Sequence, residues 1–172
     1  ARVRRRRLVR RGALVGTGLV ALLGTIALPP VPRLVWNASA SAPVGLWAVA
    51  PGRSTNSGEM VVAWLPYPAR RLAAERRYLP ANVPAVKRVA AGPGARICGE
   101  GATITVDGRP VATRLRFDRR GRPLSWWQGC QMLGPDQWLL LMAESPTSFD
   151  GRYFGPGSGK EILGTATLLW PR

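Results

Sequence analysis

The sequence predicts a mainly β domain behind one N-terminal transmembrane helix, and two observations carry that expectation. Between Arg11 and Arg33 no residue is charged, and at ~1.5 Å per residue the run is long enough to cross a hydrocarbon layer of ~30 Å. Beyond it the chain is a series of short apolar runs broken by glycine and proline, the pattern of strands joined by tight turns.

Taken in order, residues 1–11 are a basic segment holding Arg2, Arg4, Arg5, Arg6, Arg7, Arg10 and Arg11. Arginines ahead of an apolar span hold that end in the cytoplasm. Residues 12–32 then form a membrane anchor, although Pro29, Pro30 and Pro32 shorten its helical part. Trp36 stands where an interfacial aromatic belongs. The competing reading is a cleaved secretory signal ending at Ala38-Ser39-Ala40; the length of the run and its prolines favour an uncleaved anchor. In either case residues 33–172 lie outside the cytoplasm.

Within that body the strand candidates are residues 59–65, 85–91, 95–100, 102–113, 137–144 and 161–170. Asp107-Gly108 can supply the positive φ angles of a two-residue hairpin turn. Only residues 68–79 read as helix. Residues 116–129, with Trp126 and Trp127, form a polar, turn-rich insertion. The segment "GPGSGKE" (155–161) is one residue short of a phosphate-binding loop and has Glu161 where a magnesium-binding hydroxyl belongs; it reads as a glycine-rich surface loop.

Composition narrows the chemistry. The chain has 25 Lys+Arg against 9 Asp+Glu and no histidine. Without histidine there is no Ser-His-Asp triad, no Cys-His pair and no imidazole for zinc. Two cysteines, Cys98 and Cys130, cannot build a four-ligand metal site by themselves, so neither a metal nor a cofactor is expected. In an oxidising compartment they can persist as a disulfide closing a loop of about 30 residues, a contribution of about 3 kcal/mol on the chain-entropy argument. The basic balance allows contact with DNA or anionic headgroups through Arg70, Arg71, Arg76, Arg77, Arg119, Arg120 and Arg122. Because the terminal arginines run into an apolar segment and not a polar arm, a solvated face beside an anionic membrane is preferred, and no specific nucleic-acid partner is expected.

A hydrolase without histidine can activate a serine with a neutral lysine, and burial lowers a lysine pKa because desolvation penalises the charged form. Lys87 lies in an apolar strand whose alternation sends Lys87 and Arg88 to opposite faces; if Arg88 is outside, Lys87 faces in. An inward lysine could equally be half of a buried salt bridge.

Several segments in order resemble the TraF-type conjugal transfer peptidases of the signal peptidase I superfamily, which are Ser-Lys serine peptidases. "SAPVGLW" (41–47) is similar to that family's Ser-small-Pro-x-Gly segment. "SGEMVVAWLP" (57–66), "VKRVAAGPGARI" (86–97), "TSFDGRYFGP" (147–156) and "ILGTATLLW" (162–170) resemble its later strands and motifs. The resemblance implies a signal peptidase I-like β catalytic domain, with Ser41 as nucleophile and Lys87 as general base. Ser148 would orient the lysine, Asp150 and Arg152 would brace the site, and Asp150 could stand closer to the chemistry. The Ser41 N–H and the Ser39 hydroxyl would form the oxyanion hole, with Ser39 as the rival nucleophile. Trp47 replaces a tyrosine usual in the pattern, Gly151 a serine, and "MAESP" (142–146) lacks the Gly-Asp-Asn of housekeeping signal peptidases. The expected partner is a pilin or other exported precursor, cut by hydrolysis or resolved by cyclisation, in plasmid transfer through a type IV secretion system. A non-catalytic component of the transfer apparatus is the alternative; it requires a charged, paired Lys87 and no open cleft.

Overall fold

The computed structural model describes residues 2–27, 32–52 and 55–172, and the chain divides into two compact units, Ala1–Val31 and Pro32–Arg172. The first holds a single helix, α1 (Arg2–Ala27), which already begins within the arginine cluster. Its uncharged stretch, residues 12–27, extends ~24 Å at 1.5 Å per residue. No helix among the described residues is long and apolar enough to cross a membrane. The charge-free run continues through residues 28–31, the Pro29-Pro30 end of the expected anchor, which lies outside the described residues.

The second unit is built from β1 (Leu34–Asn37), β2 (Gly45–Ala50), β3 (Met60–Ala63), α2 (Tyr67–Glu75), β4 (Ala85–Ala91), β5 (Arg96–Glu100), β6 (Thr103–Val106), β7 (Arg109–Thr113), β8 (Gly129–Met132), β9 (Gln137–Leu141), α3 (Gly151–Phe154), β10 (Gly157–Ser158) and β11 (Ile162–Pro171). One sheet runs in the order β1-β2-β11-β3-β4-β9-β10 and a smaller one β7-β6-β5-β8. Every pairing between named strands is antiparallel.

The expected strands appear with their ends trimmed by a few residues, because the alternation that marks a strand stops where backbone pairing does. The 102–113 segment is a hairpin with Asp107 and Gly108 at φ 49° and 77°, the left-handed pair that its two-residue turn requires. The helix ends at Glu75 instead of 79. Four strands escape the sequence pattern: β1 and β2, which follow the apolar run; β8, whose residues are all exposed; and the two-residue β10. The glycine-rich segment 155–161 takes a capped turn: Ser158 accepts from Lys160 N–H while Glu161 accepts from Ser158 N–H. This reciprocal cap accounts for the Ser-x-x-Glu spacing without any phosphate.

The large sheet buries Trp47, Val49, Val62, Val86 and Met142 in one cluster, and Ile97, Ile104, Leu133, Leu139 and Leu141 form the core beneath the smaller sheet. A third cluster joins α2 to β4 through Leu65, Ala69, Ala73 and Ala85, with Tyr78 and Phe149 packed against it. Within the 116–129 insertion both tryptophans fold back onto the body. Trp127 packs on the smaller core, and Arg114, itself buried, stacks its guanidinium 4.7 Å from the Trp126 ring.

Cys98 and Cys130 stand directly opposite each other on β5 and β8 and are joined as a disulfide. Since β8 buries no side chain, this bond and its backbone ladder are what hold it. Cys98→Ser with Cys130→Ser is therefore expected to cost about 3 kcal/mol, given a separation of 32 residues and the loop-closure entropy. Urea unfolding of the oxidised chain and the double variant measures it; coincident midpoints would show that the bridge contributes nothing.

Candidate active site

The site is assembled from three stretches: the middle of β4, the loop between β1 and β2, and the segment ahead of α3. Lys87 sits opposite Val61 in the β3–β4 ladder. The expected alternation holds: Lys87 is 4 % exposed, while Arg88 points the other way, pairs with Glu144 at 3.4 Å and donates to Gly58 O. Burial lowers the Lys87 pKa from 10.5 to about 8; the Asp150 carboxylate pulls it up, and the Arg152 guanidinium adds to the lowering. Among the described residues the ammonium has no carboxylate within hydrogen-bonding reach. It donates to Ser148 Oγ at 2.9 Å and to Ser41 Oγ at 3.2 Å.

Ser41 lies in the β1–β2 loop, and the loop is shaped by a residue that sequence reading passed over. Asn37 is buried, and its amide N–H₂ contacts the carbonyls of Ser39, Ala42 and Pro43 at 2.9–3.1 Å. Its side-chain oxygen accepts from Ser39 N–H. One side chain thus satisfies the backbone of most of the loop, which would otherwise bring unpaired groups into a half-buried site. Trp47 completes the turn by donating its indole N–H to Pro43 O. Gly45, at φ 150°, is required here: a Cβ would lie 2.1 Å from Trp170 O of β11. The only signal available in the sequence was a polar Asn at the boundary of an apolar strand and a small-residue loop, where Asn commonly closes backbone turns.

Ser39 Oγ is 2.8 Å from Ser41 Oγ and accepts from Ser41 N–H at 3.3 Å. Ser41, not Ser39, receives the Lys87 hydrogen bond. The two groups expected to meet a developing oxyanion, the Ser41 N–H and the Ser39 hydroxyl, therefore bond to each other.

The third stretch carries Ser148, 2 % exposed, beside the buried Asp150–Arg152 pair, which are 0 % and 1 % exposed with Nε···Oδ1 at 2.8 Å. The hydrogen bonds of Asp150 go to Arg152 and to Met142 N–H, and it caps α3. The guanidinium also donates to the carbonyls of Met142, Thr113 and Pro146. Asp150 thus acts on Lys87 through space, while its direct bonds fold residues 142–153 into the loop that presents Ser148. Gly151 is pressed onto β9: a Cβ would lie 2.9 Å from both Leu140 O and Leu139 Cδ1.

A cleft of about 300 Å³ opens over Ser39, Ser41, Lys87 and Ser148. Leu65, Leu79, Ala85, Leu115 and Leu124 give it apolar walls. Tyr78, which donates to Asp118, packs its ring at a tilt against Phe149 at its side. The geometry offers a nucleophile, a buried amine able to be neutral, N–H and O–H donors beside it, and room for an extended chain. Cys98, Glu100 and Cys130 bring metal-type ligands together elsewhere, but both sulfurs are consumed by the disulfide.

The family described as "Signal peptidase, peptidase S26" matches residues 6–170. A probable conjugal transfer protein TraF of Sinorhizobium fredii is 34 % identical over 91 % of this chain and 89 % of its own length. A conjugal transfer protein TraF of Agrobacterium fabrum is 34 % identical over 76 % of the chain and 78 % of its own length. Among solved structures, a signal peptidase I of Enterococcus faecalis aligns at 16 % identity and a TM-score of 0.39, covering 67 % of this chain and 98 % of that one.

Proposed function

Since the chain belongs to the signal peptidase family, peptidase S26, we propose that it is a membrane-anchored serine endopeptidase using a Ser41–Lys87 dyad. It would remove signal or propeptide segments from exported proteins and act in conjugal transfer, the role named for its TraF relatives. A conjugative pilin precursor is the proposed substrate, residues 12–32 the proposed single-pass anchor in the inner membrane, and the periplasmic side the proposed place of the catalytic unit. The observation that carries this reading is Lys87: buried, without a carboxylate partner, and hydrogen-bonded to Ser41 Oγ beneath an open cleft. A non-catalytic relative would have little reason to bury an amine at the cost of its charge.

In the proposed reaction Ser41 Oγ attacks the scissile carbonyl as neutral Lys87 takes its proton. Ser148 holds the amine in line. Ser41 N–H and the Ser39 hydroxyl receive the oxyanion, an arrangement whose donors matter because charge develops only in the transition state. Lys87 then gives the proton to the departing amine, and water, or the amino terminus of the same substrate, resolves the acyl-enzyme. Water yields a shortened linear product and the amine a cyclic one.

Mass spectrometry of a candidate pilin precursor co-expressed with the wild type, Ser41→Ala or Ser39→Ala tests this. The expected result is a shortened product with the wild type, none with Ser41→Ala, and a roughly hundredfold slower appearance with Ser39→Ala, the usual cost of one oxyanion donor. Processing by Ser41→Ala but not by Ser39→Ala would exchange the two roles.

A pH dependence follows from the lysine. With a pKa of about 8, a minor fraction of Lys87 is neutral at pH 7. kcat/KM is expected to climb about tenfold per pH unit below that value and to level off above it. A profile flat from pH 6 to 9 would sink Lys87 as the base.

A further inference from the structure

Arginines widely separated in the sequence converge on one side of the cleft. Arg76 and Arg77 follow α2, while Arg119, Arg120 and Arg122 come from the polar insertion, and all five line the same cavity as Ser41 and Lys87. The one carboxylate in that lining, Asp118, is already spent: it accepts from Tyr78, from Arg122 Nε at 2.7 Å and from the N–H groups of Arg120 and Arg122. Arg76 donates to Pro123 O. Among the described residues, Arg77 and Arg120 are exposed with no carboxylate partner, and Arg119 reaches only the Thr147 hydroxyl. A concave wall with one sign of charge and apolar sides focuses the field into the cleft.

Arg77 carries a second signal. It sits at φ 59°, immediately past the end of α2, where Tyr78 N–H bonds Ala73 O and Arg77 N–H bonds Ala74 O. Those two bonds define the helix ending that normally places glycine at this position. A side chain there costs about 1 kcal/mol of backbone strain, yet the position holds the longest cation available and turns it to the cleft.

We propose that the substrate of this site carries aspartate or glutamate on the segment lying along the 76–79 and 118–124 wall, with Arg77, Arg119 and Arg120 as its specificity determinants. The inference rests on the peptidase reading for its location. Convergence on a cavity fits a peptide carboxylate better than a lipid surface, which would meet charges spread over an outward face.

The test reads binding separately from turnover. The Ser41→Ala chain, residues 1–172, is titrated with rhodamine-labelled, alanine-rich octapeptides carrying either three aspartates or three asparagines, followed by fluorescence anisotropy. At low salt, with a Debye length beyond ~10 Å, the aspartate peptide is expected to bind about tenfold tighter, and the ratio should shrink as salt is added. Arg77→Gly in that background is expected to keep or raise the unfolding midpoint, since glycine suits the left-handed position, while lowering the ratio about threefold. Adding Arg119→Gln and Arg120→Gln should remove it. Equal binding of the two peptides, or a ratio that survives the triple change, overturns the proposal. So does a triple variant that keeps the ratio but loses binding to phosphatidylglycerol vesicles, which would assign the arginines to a lipid surface. Retained charge preference with no cleavage by the Ser41-containing chain would uphold acid recognition and remove the peptidase reading. Cleavage of both peptides at equal rates and affinities would do the reverse.

Discussion

Replacing Lys87 with methionine is expected to abolish cleavage and at the same time to stabilise the chain by about 3 kcal/mol at pH 7. The first effect follows from the hydrogen bond to Ser41 Oγ: without a base the hydroxyl is a poor nucleophile, and losing a member of such a unit costs four orders of magnitude or more. The second follows from the lowered pKa, 10.5 to about 8. Between those two values the unfolded chain still holds a proton that the folded chain has released, so stability of the wild type rises with pH across that window. Below about pH 8 both states hold it, and the folded state bears the whole cost of a buried charge. Methionine is of similar length and carries no charge. Its advantage should be full below pH 8 and vanish above 10.5. Urea unfolding at pH 7 and at high pH, with cleavage assayed in parallel, separates these effects. If Lys87→Met is less stable than the wild type at every pH, the amine is a structural cation with a partner, and the dyad reading goes with it. A site kept at the expense of stability is what a catalytic lysine should look like.

Much of this arrangement could be read from the chain before any coordinates, for reasons that are local. Residues 85–91 alternate in the way a strand must, so the inward placement of Lys87 needed only the exposure of Arg88 to be decided. Asp107-Gly108 marks its own turn. What escaped is what depends on distant partners. β8 has no buried face and exists because β5 and Cys98 hold it. β2, whose buried and half-buried residues alternate cleanly, is legible in principle, but its glycine-led start runs on from a small-residue loop and blurs where the strand begins. Asn37 looks like any loop asparagine until the chain closes from 37 to 43 around its amide. Arg76 and Arg120 are separated by more than forty positions and read as solvated charge, because only the folded insertion brings them to the same cleft.

The brace beneath Ser148 makes the other large expectation. Arg152→Met should destabilise the second unit by about 3–5 kcal/mol, the usual result of leaving one member of a buried ion pair alone. Asp150 would remain with no exposure and only the N–H groups of Met142 and residue 152 to stabilise its charge. The carbonyls of Met142, Thr113 and Pro146 would also lose their guanidinium donor. Pairing the change with Asp150→Leu removes the stranded carboxylate and should recover part of the loss, but not all, because those carbonyls are still unmet. Catalysis in either variant should fall further than stability alone requires at a temperature where the chain stays folded. Ser148 rides on the loop that Arg152 ties to residues 113, 142 and 146, and a displacement of about 1 Å is enough to cost a hundredfold. Thermal unfolding and cleavage measured on the single and double variants distinguish the two contributions. Full recovery of stability in the double variant would mean the carbonyl bonds carry no weight. Full recovery of cleavage in the double variant, which lacks both charges as well as these bonds, would mean that Asp150 and Arg152 have no part in the site.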